Sequence, residues 1–198
     1  MNSDRLHKQM NFLCEIDKLK QIGRQSYLTD GSRKENDAEH SWHLAMMCLL
    51  LQEYANESVD VLRTMSMVLI HDIVEVDAGD TYAYDEVASL TKRERELQAA
   101  ERIFSILPED QAMWMRELWD EFEEGESAEA RFAHTLDNVQ PMMLNNESGG
   151  KAWREHQVHQ SQIMKRQRVT PKGSQKLWQY AEDNYIIPNL HAGNIIED

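Results

Sequence analysis

Apolar residues recur at helical spacing along almost the whole chain, and strand-like alternation is nearly absent. Little interrupts the pattern: the 198 residues include only 8 Gly and 4 Pro. The chain therefore reads as all-α, a single domain over 1–198 with seven or eight helices. The spacing predicts a helix over 4–22, then a polar stretch over 25–35 with Asp30-Gly31 as a turn signal. A second helix is expected from Asp37 to about Asn56. Asp60 is placed to cap a third through Ile73, whose centre, Met65 to Ile70, is apolar except for Ser66 and so should be buried. Residues 77–90 read as a loop. Thr91-Lys92-Arg93-Glu94 reads as a capping box opening a fourth helix, Pro108 suits the first turn of a fifth, and Ser127 caps a sixth through Leu144. A loop over 145–150, a helix over 151–167 and another after Ser174 complete the expectation. Pro141 lies four residues after Asp137, so the sixth helix is expected to kink or break there.

Composition narrows the function classes. A hydrophobic share of 41% is too high for a disordered chain. The longest apolar run, Leu44 to Leu51, is far short of the roughly 20 residues of a membrane span. The N-terminus has no apolar core or cleavage site, which points to the cytoplasm. Cys14 and Cys48 are too few for a disulfide framework or a cysteine-based zinc site. The net charge of −14 argues against a nucleic-acid polymer as partner, yet leaves room for a small phosphorylated ligand held by local arginines.

Four groups fall where the pattern expects apolar side chains: His40 early in the second helix, the adjacent pair His71 and Asp72 at the end of the third, and Asp137 in the middle of the sixth. Taken singly, each has an ordinary reading as a capping or surface residue. An uncompensated buried carboxylate costs several kcal/mol, so Asp72 in that setting calls for a partner. A divalent cation is the partner that also accommodates neutral imidazoles, and two His with two Asp make a mixed N/O donor set. Glu75 follows His71 by four residues and Asp72 by three, on the same helical face. It can orient or deprotonate an attacking water, or protonate a leaving oxygen. His43 and His134, three residues from His40 and Asp137, read as supporting or packing groups rather than ligands.

Three segments in order, Glu35-Asn36-Asp37-Ala38-Glu39-His40-Ser41-Trp42-His43, Ile70 to Asp80, and Leu136-Asp137-Asn138-Val139-Gln140-Pro141, resemble the HD-domain phosphohydrolase superfamily. The match is to its branch of small single-domain proteins related to 5′-deoxynucleotidases, and it covers about residues 10–165, with the C-terminal helices of 151–198 packing on that core. The resemblance implies an HD-type helical bundle with one divalent metal (Mn, Fe, Co, Ni, Zn or Mg) held by His40, His71, Asp72 and Asp137. It implies a phosphohydrolase that cleaves the phosphate monoester of a small nucleotide such as a nucleoside 5′-monophosphate, with Glu75 as catalytic carboxylate. Asp80 is then the residue that engages the sugar hydroxyl or the reacting water. The branch places a phosphate-binding arginine at the end of the first helix, where this chain has Arg24; Arg33, nearer His40 in sequence, is a candidate to share the task. A tryptophan follows that arginine in the nucleotidases, whereas Gln25 follows it here. Members are often homodimers. Two alternatives stay open at this point: an HD-fold phosphodiesterase acting on another nucleotide or second messenger, and a non-catalytic helical scaffold stabilised by a metal.

Overall fold

The computed structural model describes residues 3–80 and 90–198, so part of the expected 77–90 loop lies outside the described residues. Helix α1 spans Ser3–Ile16 and passes into a 3-10 turn over Asp17–Gln21. A two-stranded antiparallel hairpin follows, β1 Gly23–Tyr27 and β2 Lys34–Asn36. Then come α2 Asp37–Leu51, α3 Val61–Ile70, the short α4 Glu75–Ala78, α5 Lys92–Phe104, α6 Glu109–Glu124 and α7 Ala128–Glu147. Shorter helices close the chain: α8 Lys151–Glu155, α9 Gln160–Arg166, α10 Thr170–Gly173, α11 Gln175–Ala181 and α12 Ile187–His191, with a π-helical turn between the last two.

The architecture is helical, as the spacing predicts; the helix expected over 151–167 is two, α8 and α9, and other helix differences sit at element ends. The hairpin has no apolar alternation to announce it: Arg24-Gln25-Ser26-Tyr27 is polar. Its turn is built locally, by Ser32 N–H donating to Asp30 Oδ1 at 2.9 Å and Leu28 N–H donating to the Arg33 carbonyl at 2.9 Å. Asp60 and Ser127 cap α3 and α7 through the N–H groups of Arg63 and Ala130. Thr91 makes no side-chain cap for α5, contrary to the expected box. The expected break at Pro141 is absent: α7 runs through it to Glu147. Proline in a helix interior costs about 3 kcal/mol. Helix α7 offsets that by burying Phe132, Ala133, Leu136, Val139, Met142 and Leu144.

Helix α7 is the central element, against which α2, α3, α6 and α10 pack. Gly173 lets α10 lie against it, because a Cβ there would meet the Arg131 carbonyl oxygen at 2.1 Å. The core reaches from Leu44 and Cys48 on α2 through Met67 and Val68 on α3 to Trp119 on α6 and Leu136 on α7. These helices bring their interior faces together at one place, the C-terminal end of α3.

Candidate active site

Asn36 opens α2 with a reciprocal capping box: its Oδ1 accepts from Glu39 N–H at 3.0 Å while Glu39 Oε2 accepts from Asn36 N–H at 3.1 Å. That fixes the first turn, one residue before His40, which is fully buried. At the end of α3, His71 N–H still bonds to the Met67 carbonyl, and the buried Trp119 indole donates to the His71 carbonyl at 3.2 Å. The backbone then turns through Asp72 into α4, with Glu75 N–H donating to the Asp72 carbonyl at 2.9 Å. Asp137 projects from the middle of α7.

The structure brings these four groups together. His40 Nε2 lies 3.0 Å from Asp137 Oδ1 and 3.9 Å from Asp72 Oδ2. His71 Nε2 lies 3.0 Å from Asp72 Oδ2 and 3.8 Å from Asp137 Oδ1. Donors held about 2.0–2.2 Å from one ion stand roughly 3–4 Å apart, so the spacing suits a shared cation. A buried orphan gives the sharper test of fit. His71 Nδ1 lies 2.9 Å from the Val68 carbonyl, to which it must donate. In the neutral ring Nε2 is then a bare lone pair, and it has no hydrogen-bond partner among the described residues. A lone pair facing two carboxylates needs a cation between them, and the donor set fits a divalent metal. Without one, burial opposes charge on His71, but Asp72 and Asp137 outweigh burial and raise its pKa to about 10. Burial and Arg24 together push His40 down to about 4.

Around these donors lies a ring of buried acids and cations. Arg24, from β1, puts Nη1 2.7 Å from Asp72 Oδ2 and 3.2 Å from Asp37 Oδ1, with Nη2 3.9 Å from Asp137 Oδ1. Glu75 is 3% exposed. Burial, and then the charges of Asp72 and Asp37, hold its carboxyl well above the usual carboxylate range, which favours the protonated form. Burial also raises Asp80, against the pull of Arg24. Gly79, at φ 75°, takes a left-handed conformation that delivers Asp80 back to the site. Arg24, Asp72, Glu75, Asp80 and Asp137 all line one cleft, joined by Lys92 from α5 and Arg166 from the end of α9.

Some sequence candidates lie elsewhere. Arg33 is a correction: it sits beyond the hairpin turn, half exposed, in a bidentate pair with Glu39, and it does not line the cleft. His134 packs on the Phe122 ring and bonds to the Phe122 carbonyl at 2.7 Å, so it supports α6 against α7 rather than a donor. Sequence reasoning missed Lys92, Arg166, Glu35, Asp37 and Gln140. The signal for the last three was their place inside the matched segments; Lys92 and Arg166 come from helices whose charges look like ordinary surface.

A helical bundle with two imidazoles and two carboxylates converging at the end of a buried helix, under a cleft carrying further acids and arginines, defines a metal-site hydrolase fold class. The chain belongs to the HD domain family, whose model matches residues 16–178. It is similar to a crystal structure described as a predicted metal-dependent phosphohydrolase from Magnetospirillum magnetotacticum MS-1, with 48% identity, a TM-score of 0.92, and 97% of this chain and 96% of that chain covered. Among curated proteins it is 29% identical over 139 residues to human 5′-deoxynucleotidase HDDC2, covering 70% of this chain and 67% of that one. It is 30% identical to the Bos taurus protein of the same name, covering 70% of this chain and 66% of that one. The chain thus spans about two thirds of the length of those relatives.

Proposed function

We propose that this protein, as one HD domain, is a divalent-metal-dependent phosphohydrolase that cleaves the phosphate monoester of a nucleoside 5′-monophosphate. The observation that carries the reading is the convergence of His40, His71, Asp72 and Asp137 donor atoms at the floor of a cleft that also holds Glu75, Asp80 and three cations. The names of the relatives supply the substrate class. A scaffold metal would have no use for a buried carboxyl and arginines beside it.

His40, His71, Asp72 and Asp137 would hold the ion, and their mixed N/O character suits a first-row transition metal. When bound, such an ion supplies Lewis acidity, polarising a phosphoryl oxygen. The chain's own groups do the rest. Glu75, whose burial favours the protonated form, gives its proton to the leaving O5′ as the P–O5′ bond breaks. Water's oxygen forms the new bond to phosphorus and keeps one hydrogen; the other restores Glu75. Asp80 accepts a hydrogen bond from a sugar hydroxyl. Arg24 is already bound by carboxylates, so its first task is to balance them, while one face of its guanidinium meets the phosphate. Arg166 has a looser hold, 3.8 Å from Asp137 Oδ2, and is the cation more readily given to the substrate.

The cytoplasmic location and the homodimer belong to this reading. No helix among the described residues is long and apolar enough to cross a membrane. Trp42 and Leu50 on α2 and Leu62 on α3 are exposed apolar side chains assigned to the contact between copies. Sedimentation velocity tests that assignment.

The experiment for the reaction is to strip the protein of metal, reload it with single divalent ions, and assay a panel of ribo- and deoxyribonucleoside 5′-monophosphates. Equimolar nucleoside and phosphate, only with metal, is the expected result. No phosphate from any member with any ion would overturn the proposal.

A further inference from the structure

Gln140 is fully buried on α7, three residues beyond Asp137 and so on the same helical face. Its carboxamide meets three groups. Oε1 lies 3.0 Å from His40 Nδ1, Nε2 lies 3.0 Å from Glu35 Oε2, and Nε2 also lies 3.3 Å from His43 Nδ1. We propose that Gln140 is a positioning residue that fixes which nitrogen of His40 carries the proton, and thereby readies His40 Nε2 as a metal ligand. The inference rests on the metal-site reading above and deepens it.

The orientation of the amide follows from its partners. The amide nitrogen donates to Glu35 Oε2 at 3.0 Å, which leaves the amide oxygen facing His40. That oxygen only accepts, so His40 Nδ1 must donate. A neutral imidazole has one N–H, which leaves His40 Nε2 as a lone pair directed at Asp137 Oδ1 and Asp72 Oδ2. His43 Nδ1 takes the second proton of the amide nitrogen, so every polar atom of this buried side chain is used. Glu35 is held in turn by Arg24, whose Nε lies 3.7 Å from Glu35 Oε1.

His71 reaches the same state by another route, since its Nδ1 donates to a backbone carbonyl in its own helix. With an ion bound, the two imidazoles would present matching Nε2 lone pairs, one set by the main chain and one by a side chain. Only the second can be removed by mutation without disturbing the backbone. Groups that orient a metal-bound histidine typically contribute 10–100-fold to metal affinity. Gln140 touches neither the ion nor the cleft, so its effect must pass through His40.

The test uses two variants. Gln140→Met keeps an unbranched chain of similar length without hydrogen bonds. Glu35→Met leaves Gln140 in place but removes the acceptor that orients its amide. Two readouts are taken on protein shown to be folded by circular dichroism: the tautomer of His40 from long-range 1H–15N spectra of the metal-free protein at neutral pH, and the dissociation constant for Zn2+ or Co2+ by competition with a chelator. The wild type is expected to show Nδ1–H on His40. Both variants are expected to lose that single tautomer and to bind the ion about 10- to 100-fold more weakly. The proposal is overturned if His40 in the wild type carries its proton on Nε2, or if folded Gln140→Met binds the ion as tightly as wild type. A wild type that binds neither ion while His40 still shows Nδ1–H would instead sink the metal-site reading, leaving Gln140 as the group that sets the tautomer alone.

Discussion

The floor and the rim of the cleft are built from different material. The floor donors stand on long helices, or directly after one, with buried apolar neighbours: Leu44 beside His40 on α2, Val68 and Ile70 before His71, Leu136 and Val139 around Asp137. The rim comes from short pieces: Arg24 from a two-stranded hairpin, Asp80 after a left-handed glycine, Arg166 at the end of a two-turn helix. The hairpin gains its rigidity from outside, through Tyr27 O–H donating to Glu155 at 3.0 Å and Lys151 over the Tyr27 ring at 3.8 Å. The floor is thus preorganised by the core, and the rim by contacts between short elements, tightest at Arg24 and loosest at Arg166. Floor substitutions, and loss of Arg24 that balances the floor carboxylates, should cost metal and stability together; substitution of Arg166 should change substrate handling and leave both intact.

The largest effect expected is on the floor itself. Asp72→Asn removes a donor that also anchors Arg24 at 2.7 Å. Metal binding should fall below detection in calorimetry, and turnover with it. Stripping the ion from the wild type should lower the melting temperature. At an ion concentration of about 100 times Kd the bound metal contributes about 2.7 kcal/mol, which for a chain of this size is roughly 5–10 °C. An unchanged melting temperature would mean that the folded protein does not bind the ion in preference to the unfolded chain.

Glu75 stands between floor and rim. Glu75→Gln keeps the shape and removes the proton donor, so kcat should fall about 10²- to 10⁴-fold while metal affinity stays. Equal loss of metal affinity would place Glu75 among the donors instead. On the rim, Arg166→Gln should raise KM about 10-fold or more, as expected for a lost charged hydrogen bond, with kcat and melting temperature little changed. The smallest effect is expected outside the cleft: Arg33→Ala, which removes an exposed pair with Glu39 and a hydrogen bond to the Lys34 carbonyl, should leave KM and melting temperature little changed.

The same division explains what could be read in the sequence. His71-Asp72 is legible because it terminates an apolar run, and Asp137 because it interrupts the apolar face of α7; both signals are chemical misfits in a strong periodic pattern. The rim has no such background. Arg24 and Arg33 are equally polar in an equally polar stretch, and the choice between them depends on a hairpin whose order comes from contacts with α8, more than a hundred residues away. Lys92 and Arg166 are invisible for the same reason. At Pro141 the local rule for breaking a helix is set against burial on several sides of α7, and the helix does not break. Gln140 lay in plain view, but its importance depends on Glu35 and His40 being at opposite ends of its amide, which only the fold brings about.

The central claim is that four side chains from α2, the end of α3 and α7 share one ion. Crystals of the protein loaded with Mn2+ or Co2+, recorded at the absorption edge of that metal, test it directly. The account predicts one anomalous peak about 2.0–2.3 Å from His40 Nε2, His71 Nε2, an Asp72 oxygen and an Asp137 oxygen. A peak held by other residues, or one that leaves out either histidine, would contradict it.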